Sequence, residues 1–187
     1  MANDTSTIYK VHKDLIKQKK IHGVELVNGF EYYPKAFNYC DEYGLTYMGN
    51  TDLHGVYKQT YRTDRQSGPI TIVFAKERTE AGVKEALFAG RSVAKFGDLL
   101  IGSEKNLLAL AKACLSYEVM AVNDNIATVK VVNKSTLTFN IMQDNRMNTI
   151  LGSATVEFKV RLDDKLRFAN TYITDDSQLV VDVASLR

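Results

Sequence analysis

The stretch Leu45-Thr46-Tyr47-Met48-Gly49-Asn50-Thr51-Asp52-Leu53-His54-Gly55 organises the first half of the chain. Its apolar start predicts a buried strand, and Asp52 and His54 follow where that strand ends. Side chains at positions i and i+2 of an extended segment lie on the same side, so this carboxylate and this imidazole could bind one metal ion. The spacing alone favours a simpler strand-end turn, with Asp52 as a cap and His54 in solvent.

The composition is that of an ordinary globular chain. The 187 residues are 45% hydrophobic and 25% charged, and the net charge of +2 does not predict nucleic acid or an anionic membrane as a partner. No apolar run is long enough to span a membrane, and the N-terminus lacks the regions of a secretion signal. We therefore expect a soluble protein, cytoplasmic by default or periplasmic if a signal peptide is missing. Cys40 and Cys114 lack metal-finger spacing and are predicted to be buried free thiols.

Strands and helices alternate up to Gly102. The helices begin near Pro34 and Thr79 and end at Gly44 and Gly90. The first lies between predicted strands at residues 23–29 and 45–49, and the second lies between predicted strands at 70–75 and 92–96. This alternation is typical of βαβ units, and it predicts a parallel sheet that is either open or barrel-like.

Beyond a helix capped by Ser103 the pattern changes to short runs rich in β-branched and aromatic residues. Six of them are separated by turn residues: 118–122, 126–132, 137–142, 154–162, 166–174 and 178–183. They predict a small all-β antiparallel sandwich. Two domains are therefore expected. Residues 1–102 form the part with alternating strands and helices, and residues 103–187 form a linker helix and the β-sandwich. The three histidines, His12, His22 and His54, all belong to the first part, where any metal chemistry is expected.

Three blocks of the first part resemble the C-terminal half of a PHP domain, the polymerase and histidinol phosphatase superfamily. The first block is Ile-His-Gly-Val-Glu-Leu-Val-Asn-Gly at 21–29, followed by Tyr-Pro-Lys-Ala at 33–36. The second block is Thr-Asp-Leu-His-Gly at 51–55. The third block consists of residues 69–79 and 84–91. The second block is similar to the last metal motif of the family, D-x-H. The third resembles the segment that closes the barrel in PHP phosphoesterases of the Bacteroides type, which also tend to carry an all-β C-terminal domain.

The resemblance implies a partial β/α barrel of PHP type from a family whose distorted (β/α)7 barrel holds two or three divalent metals. Zinc, manganese and iron are its usual metals, and they position a hydroxide for attack on a phosphoester. Asp52 and His54 would be metal ligands, whereas strand-end hydrogen bonds are the expected role of Glu25 and Asn28. The substrate would be a phosphorylated small molecule, and the resemblance does not identify a catalytic side chain.

The chain also departs from the family. It has no H-x-H pair and only two convincing ligands, whereas a catalytic zinc normally takes three protein ligands. We therefore expect part of a metal-dependent phosphoesterase, a fragment that does not hydrolyse phosphoesters at a useful rate alone. A nucleotide-binding domain is not supported, because neither G-x-G-x-x-G nor G-x-x-x-x-G-K-[ST] occurs.

The alternative is a non-catalytic binding or scaffold protein whose half-barrel is completed by oligomerisation. The strands at 45–49 and 70–75 are predicted to be buried on both faces, so an open half-barrel would leave a parallel edge unpaired. A homo-oligomer, most simply a dimer, or association with a missing N-terminal half is therefore expected.

Overall fold

The computed structural model describes residues 6–57 and 68–183. Within them lie four helices: α1 (Lys10–Lys17), α2 (Ala36–Tyr43), α3 (Glu80–Phe88) and α4 (Glu104–Cys114). The same residues form fourteen strands: β1 (Gly23–Asn28), β2 (Glu31–Tyr32), β3 (Thr46–Asn50), β4 (Ile70–Val73), β5 (Ser92–Phe96), β6 (Leu99–Ile101), β7 (Leu115–Asn123), β8 (Ile126–Asn133), β9 (Phe139–Gln143), β10 (Arg146–Ile150), β11 (Thr155–Arg161), β12 (Lys165–Phe168), β13 (Thr171–Tyr172) and β14 (Leu179–Asp182). None of these helices is long and apolar enough to cross a membrane.

The N-terminal sheet has the order β2-β1-β3, and its two long strands, β1 and β3, run parallel. Helix α2 connects them and buries Ala36, Phe37 and Cys40. It ends at Gly44, whose φ of 64° is a left-handed conformation that glycine adopts without steric cost. Leu26 and Val27 of β1 belong to the same core.

The central sheet has the order β13-β6-β5-β4 and lies between two hydrophobic cores. Successive side chains of a strand point to opposite faces. Val93 and Leu100 accordingly belong to the C-terminal core, whereas their neighbours Ala94 and Ile101 belong to the N-terminal core. One sheet therefore serves as a shared wall of both.

The C-terminal part consists of two antiparallel sheets, β11-β8-β7 and β10-β9-β12-β14. Strand β8 alternates well and buries Ala127, Val129 and Val131. Edge strand β7 differs, because residues 117–123 are exposed on both faces of the strand. The two sheets and α4 enclose the larger of the two cores.

The predicted partial β/α barrel of PHP type is wrong. More of the described residues lie in strands than in helices; the strands form four sheets, and these residues show no barrel. Strand β4 pairs antiparallel with β5 although α3 lies between them, so this helix does not close a βαβ unit. Alternation of strands and helices permitted parallel pairing but did not impose it, and of the predicted units only β1–α2–β3 is parallel.

The division into residues 1–102 and 103–187 stays a prediction. Thr171 and Tyr172 of β13 pair with Leu100 and Ile101 of β6, so a strand from the second segment extends the central sheet. The buried side chain of Asn170 adds a polar link, since its Nδ2 donates to the carbonyls of Asp98 (2.7 Å) and Thr138 (2.8 Å).

Candidate functional site

Side-chain hydroxyls of the central sheet hold strand β3 in place. Thr71 Oγ1 accepts a hydrogen bond from the Gly49 amide (3.0 Å) and donates one to the Gly49 carbonyl (2.9 Å). Ser92 Oγ donates to the carbonyl of Tyr47 at 2.7 Å. A Cβ at Gly49 would lie 3.2 Å from the Ala94 Cβ, so only glycine fits this approach easily. The end of β3, and the turn after it, is thereby positioned against β4 and β5.

The structure brings the two predicted metal ligands together. His54 Nε2 lies 3.3 Å from Asp52 Oδ1, and the side chains are 87% and 58% exposed. The two side chains meet through a turn and not through the expected extended segment, because Asp52 has a φ of 46°. Aspartate tolerates this left-handed conformation better than most residues. The pair therefore sits on an exposed turn at the C-terminal end of β3.

A second polar group lies where the parallel strands β1 and β3 end together. Asn28 and Asn50 are paired in register, and the side chains of both donate to the carboxylate of Glu25. The Asn28 Nδ2 to Glu25 Oε2 distance is 2.6 Å. The hydrogen-bonding role expected for Glu25 and Asn28 is confirmed. Asn50 was missed, although its position as the last residue of β3 was a usable signal.

The described residues do not fit a complete metal site. No group of three or more His, Cys, Asp or Glu side chains that could hold a metal occurs among residues 6–57 and 68–183. Both oxygens of Glu25 already accept amide hydrogen bonds, so this carboxylate is occupied within the strand ends. Asp52 and His54 supply two ligands of suitable chemistry, one fewer than a catalytic zinc requires.

The other two histidines do not join this turn. His12 accepts a hydrogen bond from the Tyr9 amide at 3.3 Å and contacts the Tyr9 ring. His22 is exposed before β1, where its ring meets Phe88 edge-on at 4.3 Å. Because β1 and β3 are parallel, His22 lies at the end of the pair opposite to His54.

Both cysteines are buried free thiols, as predicted. Burial, with a smaller contribution from Asp41, raises the pKa of the Cys40 thiol to about 12. The neighbouring hydroxyl of Tyr47 donates to Asp41 Oδ1 at 2.5 Å, and burial together with this bond raises the pKa of Tyr47 as well. A thiol that stays protonated is a poor nucleophile, so Cys40 has a structural role.

No protein-family model matches the sequence, and no curated protein matches it. Among solved structures, the chain is similar to a two-domain protein of Bacteroides vulgatus that contains a predicted PHP-like metal-dependent phosphoesterase. The TM-score is 0.87 at 26% sequence identity, and the match covers 96% of this chain. It covers 57% of the other protein, so this chain spans little more than half of that protein's length. The resemblance indicated by the sequence is thus supported in part, by structural similarity to a protein that contains a predicted PHP-like metal-dependent phosphoesterase.

Proposed function

We propose that this chain is part of a metal-dependent phosphoesterase that hydrolyses phosphate mono- or diesters of small molecules. The similarity to the Bacteroides vulgatus protein over 96% of this chain carries the proposal. The Asp52–His54 turn supports it, because a carboxylate and an imidazole 3.3 Å apart are ligands that zinc, manganese and iron accept.

In this proposal Asp52 and His54 are two of the ligands, and the others come from outside the described residues. Glu25, Asn28 and Asn50 have a positioning role, since their hydrogen bonds fix the strand ends from which the turn emerges. Two ligands bind a divalent ion weakly, so the chain alone is expected to take up metal without hydrolysing phosphoesters at a useful rate.

Proton NMR with substoichiometric Mn²⁺ tests the ligand assignment. The chain has three histidines, so the imidazole signals are few and can be assigned with variants. A manganese ion at the turn should broaden the His54 signals far more than those of His12 and His22, and Asp52→Ala should abolish the difference. Equal broadening of all three would contradict the assignment.

Metal analysis and hydrolysis assays complete the test. Zinc, manganese and iron content is measured for the wild type and for Asp52→Ala/His54→Ala, alongside turnover of para-nitrophenyl phosphate and its bis-ester. The control is Asp124→Ala/His22→Ala. Asp124, like Asp52, is exposed in a turn and has a positive φ (52°), and His22, like His54, is an exposed histidine. Uptake should fall in the first variant only, and equal uptake in all three proteins would refute the site.

A second candidate function is a non-catalytic binding protein. The specific observation in its favour is that the described residues hold no cluster of three metal-ligating side chains. Hydrolysis of either probe that depends on added metal and on Asp52 excludes this candidate. Absence of metal uptake by the wild type as well as by Asp52→Ala/His54→Ala favours it.

Association with a second copy or with a separate chain belongs to the main proposal, because such a partner is one source of the ligands that these residues lack. Sedimentation velocity over a range of protein concentrations measures it. A species larger than the monomer is expected, and a monomer at the highest concentration would contradict this part.

A further inference from the structure

An apolar cavity of about 500 Å³ lies between helix α4 and the inner faces of the two antiparallel sheets. Its buried walls include Val131, Ile141, Val160 and Phe168, each less than a tenth exposed. Pockets that take small organic ligands have about this size, roughly 300–1,000 Å³. The cavity belongs to the C-terminal part and shares no residue with the Asp52–His54 turn.

The cavity has a polar side formed by one short segment. Lys112, in the last turn of α4, and Ser116 and Tyr117, at the start of β7, line it there. No carboxylate lines the cavity, and Lys112 is its one charged side chain. Among the described residues Lys112 forms no ion pair. The lining therefore combines apolar walls with a single positive charge on one side.

We propose that this cavity binds a single-chain amphiphile with an anionic head group, such as a fatty acid. The alkyl chain lies against the valine, isoleucine and phenylalanine walls, where removing its surface from water is favourable. The carboxylate lies beside the Lys112 ammonium and the Ser116 hydroxyl. A head group of the opposite charge would face an uncompensated lysine, so the charge of the lining selects the ligand class.

The open side of the cavity explains how such a molecule enters. Tyr117 and Val119 of edge strand β7 line the cavity and are 39% and 45% exposed. Strand β7 is hydrogen-bonded to β8 alone in its sheet, so in the described structure nothing pairs with its outer edge. An alkyl chain inserted beside β7 would cover these two side chains.

Isothermal titration calorimetry of the full chain with dodecanoate tests the proposal, with dodecyltrimethylammonium as a probe of the same chain length and opposite charge. EDTA is present throughout, so the result does not depend on the proposed metal site. The wild type should bind dodecanoate and should bind the ammonium probe at least about fivefold more weakly. No heat from dodecanoate up to its solubility limit, or equal affinity for both probes, would overturn the proposal.

Two matched pairs of variants locate the ligand. Lys112→Glu should weaken dodecanoate binding about five- to tenfold, whereas Lys105→Glu, on the same helix outside the cavity lining, should change it less than about twofold. Ala111→Phe fills the cavity and should abolish binding, whereas Ala113→Phe on the exposed side of α4 should not. Circular dichroism verifies that each variant is folded.

If Ala111→Phe does not fold, the two lysine variants still test the proposal. Equal weakening by Lys112→Glu and Lys105→Glu would overturn the assignment of the head group, because Lys112 would then act as any other positive charge on α4. A second copy could instead cover the cavity. If Val119→Lys converts an oligomer to a monomer, and dodecanoate binds neither form, the occupant is the second copy and the proposal is wrong.

Discussion

The parallel strands β1 and β3 and the two C-terminal antiparallel sheets bury similar aliphatic side chains but present different chemistry. At the carboxyl ends of β1 and β3, Glu25, Asn28 and Asn50 meet, and the Asp52–His54 pair follows directly. The distinctive feature of the antiparallel sheets is an apolar cavity lined by one charged side chain, that of Lys112. Parallel strands end at the same edge of a sheet and so collect polar side chains there, whereas antiparallel strands alternate their ends.

The two regions are joined through the central sheet, and the first prediction tests whether they unfold together. Phe37 and Phe139 are each 1% exposed, one in each core. Replacement of either by alanine should cost about 3–5 kcal/mol of unfolding free energy. Because β5 and β6 contribute to both cores, both variants should shift one common urea unfolding transition. Circular dichroism and methyl NMR signals from each core monitor this transition.

Separate unfolding transitions for the two cores would show that the two regions do not unfold together. If Phe139→Ala leaves the methyl signals of the N-terminal core native while those of the C-terminal core unfold, the division at residue 102 describes two independent units. The shared wall formed by β5 and β6 would then be only a contact between them.

The second prediction concerns the loss of a polar link between the two regions. Asn170 is 4% exposed; it donates to the carbonyls of Asp98 and Thr138 and accepts from the Asn140 amide at 2.9 Å. Asn170→Ala leaves three backbone groups without this partner and should cost about 3 kcal/mol in urea unfolding. The control, Asn38→Ala on the exposed side of α2, should have little effect. Equal costs for the two variants would show that Asn170 is not a link.

The third prediction concerns pH and the N-terminal core. The pKa of Cys40 is about 12 in the folded chain against an ordinary value of 9.0. Above pH 9.0 the unfolded thiol ionises while the folded one keeps its proton, so stability falls as the pH rises. The loss should reach about 2 kcal/mol near pH 10.5, and the raised pKa of Tyr47 acts in the same direction. Cys40→Ala should flatten the urea stability profile over this range, and an unchanged slope would contradict the assignment.

The smallest effect is expected at the Asp52–His54 turn. The pair is exposed, so Asp52→Ala/His54→Ala should change the free energy of unfolding by less than about 1 kcal/mol. Thermal denaturation without added metal measures it. A large loss of stability would mean that the turn has a structural role and that any lost metal binding reflects unfolding.

Local features of the fold were accessible from the sequence. The helix ending at Gly44, the strand before Asp52 and the burial of Cys40 and Cys114 all follow from side-chain periodicity and turn residues. Strand β10 was missed, because Arg146-Met147-Asn148-Thr149-Ile150 is too polar to stand out, although Asp144 with a φ of 50° marks the hairpin before it.

Pairing direction was not accessible, because it depends on contacts distant in the sequence. The same strand–helix–strand pattern gave parallel pairing for β1 and β3 and antiparallel pairing for β4 and β5. The spacing allowed Asp52 and His54 to converge but by itself favoured a strand-end turn, and the backbone brings the two side chains together by a turn at Asp52. The sequence indicated which residues have ligand chemistry, but not where a third ligand lies.

The pairing of β13 with β6 has a consequence for biosynthesis. Strand β6 gains its parallel neighbour only when Thr171 and Tyr172, far downstream of Leu100 and Ile101, have left the ribosome. Until then one edge of the central sheet is open, and the nascent chain presents unpaired strand backbone. Completion of this sheet therefore waits until translation has passed Tyr172, and in that interval the open edge can pair with other chains.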